Sequence, residues 1–128
     1  MKNLDELNKL ASSYEIPKDL PISFDGAPYT RIPLHKEDDL EVVLICFAEG
    51  QTSSVHDHQG SNCVVRVISG KILETLYERT GDELNLLGSS YLKPGDVSGL
   101  DGVQVHQLSN LHSKGSVLVN FYSPPFKV

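Results

Sequence analysis

The feature of this sequence that most constrains its fold is a series of short apolar segments that begins at residue 29. The segments are rich in Val, Ile, Leu and Tyr, and turn residues such as Ser69-Gly70-Lys71 and Pro94-Gly95-Asp96 separate them. Because β-branched and aromatic residues favour strands, each segment predicts one strand. The predicted strands are 29–32, 40–47, 54–58, 63–69, 72–78, 89–92, 103–108 and 116–122. Many short strands without helices between them predict an all-β antiparallel sandwich or barrel.

A different pattern precedes the strands. Apolar residues at helical spacing run from Leu4 to Tyr14, and Asn3 stands where a helix cap is expected. They predict a short amphipathic helix, and the prolines and glycine of residues 16–28 predict a connecting loop. The predicted organisation is a single domain over residues 1–128, with a helical and loop lead-in at 1–28 and a β-barrel at 29–128.

Charge and composition exclude several classes of partner. The chain has 11 Lys and Arg against 17 Asp and Glu, a net charge of −6, which argues against nucleic-acid or anionic-membrane binding. No apolar run is long enough to span a bilayer, and the N-terminus lacks the apolar stretch of a signal peptide. We therefore expect a cytoplasmic protein, in which Cys46 and Cys63 are free thiols. The sequence does not indicate an oligomeric state.

Histidines are the clearest chemical signal. His56 and His58 are two residues apart on a predicted strand, so both side chains should lie on one face, while Asp57 points to the other. Such a pair alone is more often solvated than metal-binding, and a third ligand is needed. His106 is the best candidate because it also lies in a strand-like segment. His35 and His112 lie in polar, loop-like stretches, and we predict no role for them.

Two motifs strengthen this interpretation. The series Gly50, His56, His58, Cys63, Gly70 resembles the first motif of the cupin superfamily, and the series Gly88, Pro94, His106, Asn110 resembles the second. The resemblance implies a cupin barrel, also called a double-stranded β-helix or jelly roll, with His56, His58 and His106 as metal ligands. Cys63 stands where the first motif usually carries glutamate. A site of three neutral imidazoles keeps the full charge of the ion and favours an anionic ligand such as a thiolate.

A narrower resemblance covers most of the chain. The segments 29–31, 53–63, 73–77 and 122–126 are similar in order and approximate spacing to cysteine dioxygenase. The resemblance implies a small bacterial-type thiol dioxygenase, an oxidoreductase of cysteine catabolism with a mononuclear ferrous ion. Its reaction would convert L-cysteine to cysteine sulfinic acid with both atoms of O₂. A dioxygenase of another small thiol, such as 3-mercaptopropionate, and a non-catalytic metal-binding cupin remain alternatives.

The same resemblance implies roles for four further residues. Arg31 matches the residue that binds the substrate carboxylate, a role that suits the planar guanidinium fork; otherwise it is a surface arginine. Tyr29 would hydrogen-bond near the substrate or be a packed core tyrosine. Cys63 and Tyr122 match a pair that forms a thioether bond beside the iron in some members, although a buried cysteine is usually only a small hydrophobic residue. Ser123-Pro124 matches a cis peptide bond.

One departure from the family concerns the strand that carries Tyr122. The family often has Ser-x-His-x-Tyr there, whereas this chain has Leu118, Asn120 and Tyr122. Asn120 can form a hydrogen bond with the phenol, but it cannot carry a proton at neutral pH. We therefore expect a shortened relay, with consequences for the rate and for the efficiency of thioether formation.

Overall fold

The computed structural model describes residues 1–126, in which eight strands follow one helix. The elements are α1 (Leu4–Ser13), β1 (Thr30–Glu37), β2 (Leu40–Ala48), β3 (Asn62–Ser69), β4 (Ile72–Thr80), β5 (Glu83–Leu92), β6 (Val97–Leu100), β7 (Val105–Ser109) and β8 (Gly115–Ser123). The larger sheet has the order β1-β2-β8-β3-β6, the smaller has the order β5-β4-β7, and neighbouring strands are antiparallel. The predicted all-β fold with a short N-terminal helix is confirmed.

The larger sheet is buried on both faces. Along β2, Val43 and Ile45 belong to an inner core that also contains residues of the smaller sheet, whereas Val42 and Leu44 belong to an outer core with α1. Because successive side chains of a strand point to opposite faces, a strand buried on both sides needs a nearly continuous apolar sequence. This requirement accounts for the uninterrupted run of β2.

Helix α1 is fixed at both ends. At its start the Glu6 amide donates to Asn3 Oδ1 over 2.9 Å, and the Asn3 amide donates to the Glu6 carboxylate over 3.2 Å, which is a capping box. At its end, Arg66 of β3 donates to the carbonyl of Ala11 in the last turn over 3.0 Å and to that of Tyr14, just after the helix, over 2.8 Å. The predicted helix is confirmed and is anchored to the larger sheet. Within residues 1–126 we find no helix with the length and apolar character needed to cross a membrane.

One predicted strand is wrong, and one strand of the structure was not predicted. Residues 54–58 do not form a strand; they lie in the connection between β2 and β3, which pairs with β7 only through isolated bridges. Side chains compete with the backbone for hydrogen bonds there: Ser53 Oγ accepts from the Leu108 amide over 2.9 Å. Conversely, β6 was not predicted, because Ser98 and Gly99 have little strand propensity. Pairing with β3 makes it a strand.

The turn between β3 and β4 explains one glycine of the first motif. Gly70 has a positive φ of 73°, a conformation that other residues rarely adopt. A Cβ atom at this position would also lie 2.5 Å from the Gly115 carbonyl oxygen. The start of β8 can approach the turn this closely only because residue 70 lacks a side chain.

Candidate active site

Three histidines lie close together in the structure. His56 and His58 lie in the connection between β2 and β3, and His106 lies on β7. The backbones of His56 and His106 exchange two hydrogen bonds of 3.0 and 2.9 Å. One ring nitrogen of each histidine lies within 4.8 Å of the others. The structure therefore brings the three predicted ligands together, although the first two are on a loop and not on the predicted strand.

The hydrogen bonds of two rings determine where their protons lie. His56 Nδ1 is 2.7 Å from the Ser54 carbonyl oxygen, and His106 Nδ1 is 3.1 Å from Glu74 Oε2. A carbonyl and a carboxylate oxygen both accept hydrogen bonds, so these contacts favour the tautomer with the proton on Nδ1 and a lone pair on Nε2. The two Nε2 atoms are 3.2 Å apart. Two lone pairs facing each other repel, and a cation between them removes the repulsion.

His58 adds an independent indication that the histidine cluster binds a metal ion. Its side chain is 1% exposed, and neither ring nitrogen has a hydrogen-bond partner among residues 1–126. Leaving buried polar atoms without partners is costly. Burial, with a smaller contribution from His106 and His56, lowers the pKa of His58 to about 3, and burial also lowers the pKa of His56. Neutral imidazoles are the form that binds metals, so this set of donors fits a metal ion.

A cavity of about 190 Å³ opens beside His56. Tyr29, Arg31, Tyr122 and Phe126 line it, together with Ser54, Asp57 and Gln59. Arg31 Nη2 is buried and has no hydrogen-bond partner in the described part of the chain. The Arg31 guanidinium carbon is 5.5 Å from the centre of the Tyr122 ring. The cavity thus combines a metal-binding edge with an unpaired cationic donor.

Tyr29 lies just before β1 and not on it, so the predicted strand position is wrong by one residue. Its ring packs against Phe47 with 4.9 Å between ring centres. Tyr29 nevertheless lines the cavity with Arg31.

A larger cavity of about 460 Å³ lies beside Tyr77 and Arg79, but none of the three histidines lines it.

Cys63 and Tyr122 are neighbours on adjacent strands. They form a directly opposed pair between β3 and β8, and both belong to the inner core. Burial raises the pKa of both the Cys63 thiol and the Tyr122 phenol. Asn120 Nδ2 donates to the Tyr122 hydroxyl over 3.0 Å, as expected for the shortened relay. The Ser123–Pro124 peptide is cis, as the resemblance implies.

Glu74 and Ser98 were not predicted to belong to the site. Glu74 is 3% exposed, and its carboxylate contacts the His106 ring on one oxygen and Ser98 Oγ, at 2.6 Å, on the other. The sequence contains one indication of this role: Glu74 interrupts the apolar face of β4 that carries Ile72 and Leu76. The remaining cysteine, Cys46, lies in the outer core, away from the cavity.

Comparisons with known proteins agree with this geometry. The sequence matches the family described as cysteine dioxygenase type I over residues 1–128. It is 30% identical over 135 residues to cysteine dioxygenase type 1 of Danio rerio, with 98% of this chain and 67% of the relative covered. It is 27% identical over 133 residues to the Homo sapiens protein, with 97% and 66% covered. The chain thus spans about two thirds of the length of these relatives.

Solved structures support the fold. An uncharacterized conserved protein with a double-stranded β-helix domain from Klebsiella pneumoniae has a TM-score of 0.66 and 22% identity, covering 89% of this chain and 87% of its own. An RmlC-like cupin family protein from Methanocaldococcus jannaschii has a TM-score of 0.63 and 16% identity, covering 86% and 93%. The predicted cupin fold is confirmed.

Proposed function

The chain belongs to the cysteine dioxygenase type I family, and from this premise we propose that it is a thiol dioxygenase that oxidises L-cysteine to cysteine sulfinic acid. In the overall reaction, both atoms of O₂ are added to sulfur and the thiol hydrogen is retained in the sulfinic acid. The sulfur supplies the electrons that reduce O₂, so no external reductant is required. The reducing cytoplasm predicted from the sequence is a compartment where a thiol substrate persists.

We assign the metal to ferrous iron, held by His56, His58 and His106. When bound, ferrous iron would supply the redox chemistry that allows a thiolate to react with O₂. Among residues 1–126, the cluster of candidate ligands contains imidazoles and no carboxylate. Neutral ligands leave the positive charge of the ion uncompensated, which favours coordination of an anionic thiolate.

Arg31 would bind the substrate carboxylate. Its Nη2 atom is buried and without a partner among the described residues, and a guanidinium fork matches the two oxygens of a carboxylate. An ion pair with the substrate would satisfy this donor. A cavity of about 190 Å³ also suits a small amino acid better than a drug-sized ligand.

Tyr122 would donate a hydrogen bond during the reaction. Asn120 already donates to its phenol oxygen, so the phenol proton remains available for another acceptor. Tyr122 lines the cavity with Arg31, and a donor held in place there can stabilise negative charge as it develops on oxygen or sulfur. Tyr29, which lines the same cavity, is the further candidate for a contact with the substrate.

The observation that carries this proposal is that one cavity contains both the unpaired Arg31 donor and the edge of the histidine cluster.

The test is anaerobic loading with ferrous iron followed by oxygen uptake with L-cysteine, 3-mercaptopropionate and cysteamine. We expect uptake and cysteine sulfinic acid with L-cysteine. His106→Ala should abolish uptake, and His112→Ala, at an exposed histidine, should retain it. Preference for 3-mercaptopropionate would change the substrate, and iron binding without uptake would identify a non-catalytic metal-binding cupin.

A further inference from the structure

Two consecutive hydrogen bonds, one buried and one partly buried, connect the histidine cluster to both sheets. Ser98, on β6 of the larger sheet, donates to Glu74 Oε1 over 2.6 Å, and Glu74 lies on β4 of the smaller sheet. The other carboxylate oxygen accepts from His106 Nδ1 over 3.1 Å. The side chains of Glu74 and His106 are only 4% and 1% exposed. A carboxylate is thus linked to one metal ligand and anchored from the opposite sheet.

A purely structural explanation of Glu74 is unfavourable. Removing a carboxylate from water is energetically costly, and an apolar residue is often equally stable in a core. Ile72 and Leu76 lie on the same face of β4, so an apolar side chain at position 74 would continue the pattern. A metal ion held by the three histidines would place positive charge beside this carboxylate, which the imidazole ligands alone do not supply.

We infer that Glu74 is a positioning residue of the metal centre and that Ser98 holds it in place. By accepting from Nδ1, Glu74 keeps the His106 proton away from Nε2 and directs the Nε2 lone pair at the ion. Its negative charge also partly compensates an ion surrounded by three neutral imidazoles. The inference rests on the proposed function only in requiring a metal ion at this site, and not on the identity of the thiol.

The test measures metal binding in place of turnover. The dissociation constant for Co²⁺ is measured by competition with a chromophoric chelator, and the visible Co²⁺ spectrum reports the ligands. Glu74→Gln keeps the shape and removes the charge, and we expect it to weaken binding about 10- to 100-fold, as outer ligand partners do elsewhere. Ser98→Ala should weaken it in the same direction. Glu78→Gln, at an exposed glutamate of the same strand, should leave both constant and spectrum unchanged.

A second measurement reports the tautomer directly. In the metal-free wild type, ¹⁵N NMR of the imidazoles should show His106 protonated on Nδ1, and Glu74→Gln should alter its ring-nitrogen shifts. A purely structural role would lower the melting temperature of the Glu74 variant without changing its Co²⁺ constant. That result, or wild-type His106 protonated on Nε2, would overturn the inference. Weakened Co²⁺ binding in a protein whose ferrous form consumes no O₂ with any thiol would instead refute only the proposed function.

Discussion

Cys63 and Tyr122 face each other directly across the β3–β8 ladder, with both side chains in the inner core. Directly opposed residues of an antiparallel pair have Cβ atoms roughly 5 Å apart, so sulfur and ring can meet without movement of the backbone. The two residues are far apart in the sequence, and only the pairing of the last strand with β3 makes them neighbours. This relationship is the basis of a covalent prediction.

We predict that turnover with ferrous iron, thiol and O₂ joins Cys63 Sγ to the ring carbon beside the Tyr122 hydroxyl. The new C–S bond replaces one S–H and one C–H bond, and O₂ accepts the two hydrogens. Intact mass spectrometry should detect a fraction of molecules lighter by two hydrogens. Cys63→Ala should abolish that species. Cys46→Ala, which removes the buried thiol of the outer core, should retain it, and an unchanged wild-type mass after turnover would contradict the prediction.

Arg31 provides a prediction about selectivity. Arg31→Ala should raise the KM for L-cysteine and lower kcat/KM, with a loss of transition-state stabilisation of about 2–5 kcal/mol, the usual effect of removing one partner of a buried charge pair. Cysteamine lacks the carboxylate, so its kinetic constants should hardly change and serve as the internal control. Arg31→Lys keeps the charge but not the fork, and we expect only partial recovery. Equal losses for both thiols would show that Arg31 does not contact the carboxylate.

The sequence predicts those strands whose own residues favour strand formation. β2, β3 and β8 have mostly apolar sequences, because their sheet is buried on both faces. The segment 54–58 resembles a strand in composition, but its polar side chains satisfy backbone groups locally and interrupt the ladder. β6 is a strand only because β3 lies beside it, and such a tertiary effect has no local signal.

The residues of the site also differ in whether the sequence alone identifies them. His56, His58, His106 and Arg31 were predicted because motif spacing and family resemblance identify them. The contact between Ser98 and Glu74 was not predicted, because it joins strands of two different sheets and has no characteristic spacing. Buried partners of metal ligands are therefore the part of such a site that requires a three-dimensional structure.

The buried thiol predicts a pH dependence of stability. Burial, together with the nearby Glu74 carboxylate, raises the pKa of Cys63 above its ordinary value of 9.0. Above pH 9 the unfolded chain loses this proton and the folded protein keeps it, so the free energy of unfolding falls as pH rises. The thiol should contribute about 1 kcal/mol of this loss at pH 10.

Urea denaturation of the metal-free protein at pH 7.5 and pH 10 measures this dependence. Cys63→Ala should lower stability at both pH values because of the cavity it creates, but its decline between them should be smaller than that of the wild type. Ser90→Ala, at an exposed position, should decline as the wild type does. Equal declines for the wild type and Cys63→Ala would contradict the assignment of the raised pKa.

Asn120 provides a prediction about the efficiency of thioether formation. Its Nδ2 donates to the Tyr122 hydroxyl over 3.0 Å, and its Oδ1 is buried without a partner among residues 1–126. An amide can hold the phenol but cannot accept its proton when the ring is oxidised, whereas an imidazole can do both. Asn120→His should therefore raise the fraction of Cys63–Tyr122 thioether formed per turnover, and Asn120→Leu, similar in size but without hydrogen bonds, should lower it. The measurement is the mass difference of two hydrogens after equal numbers of turnovers, with far-UV circular dichroism to verify folding. A folded Asn120→His variant whose thioether fraction equals that of the wild type would show that proton transfer at this position does not limit the reaction.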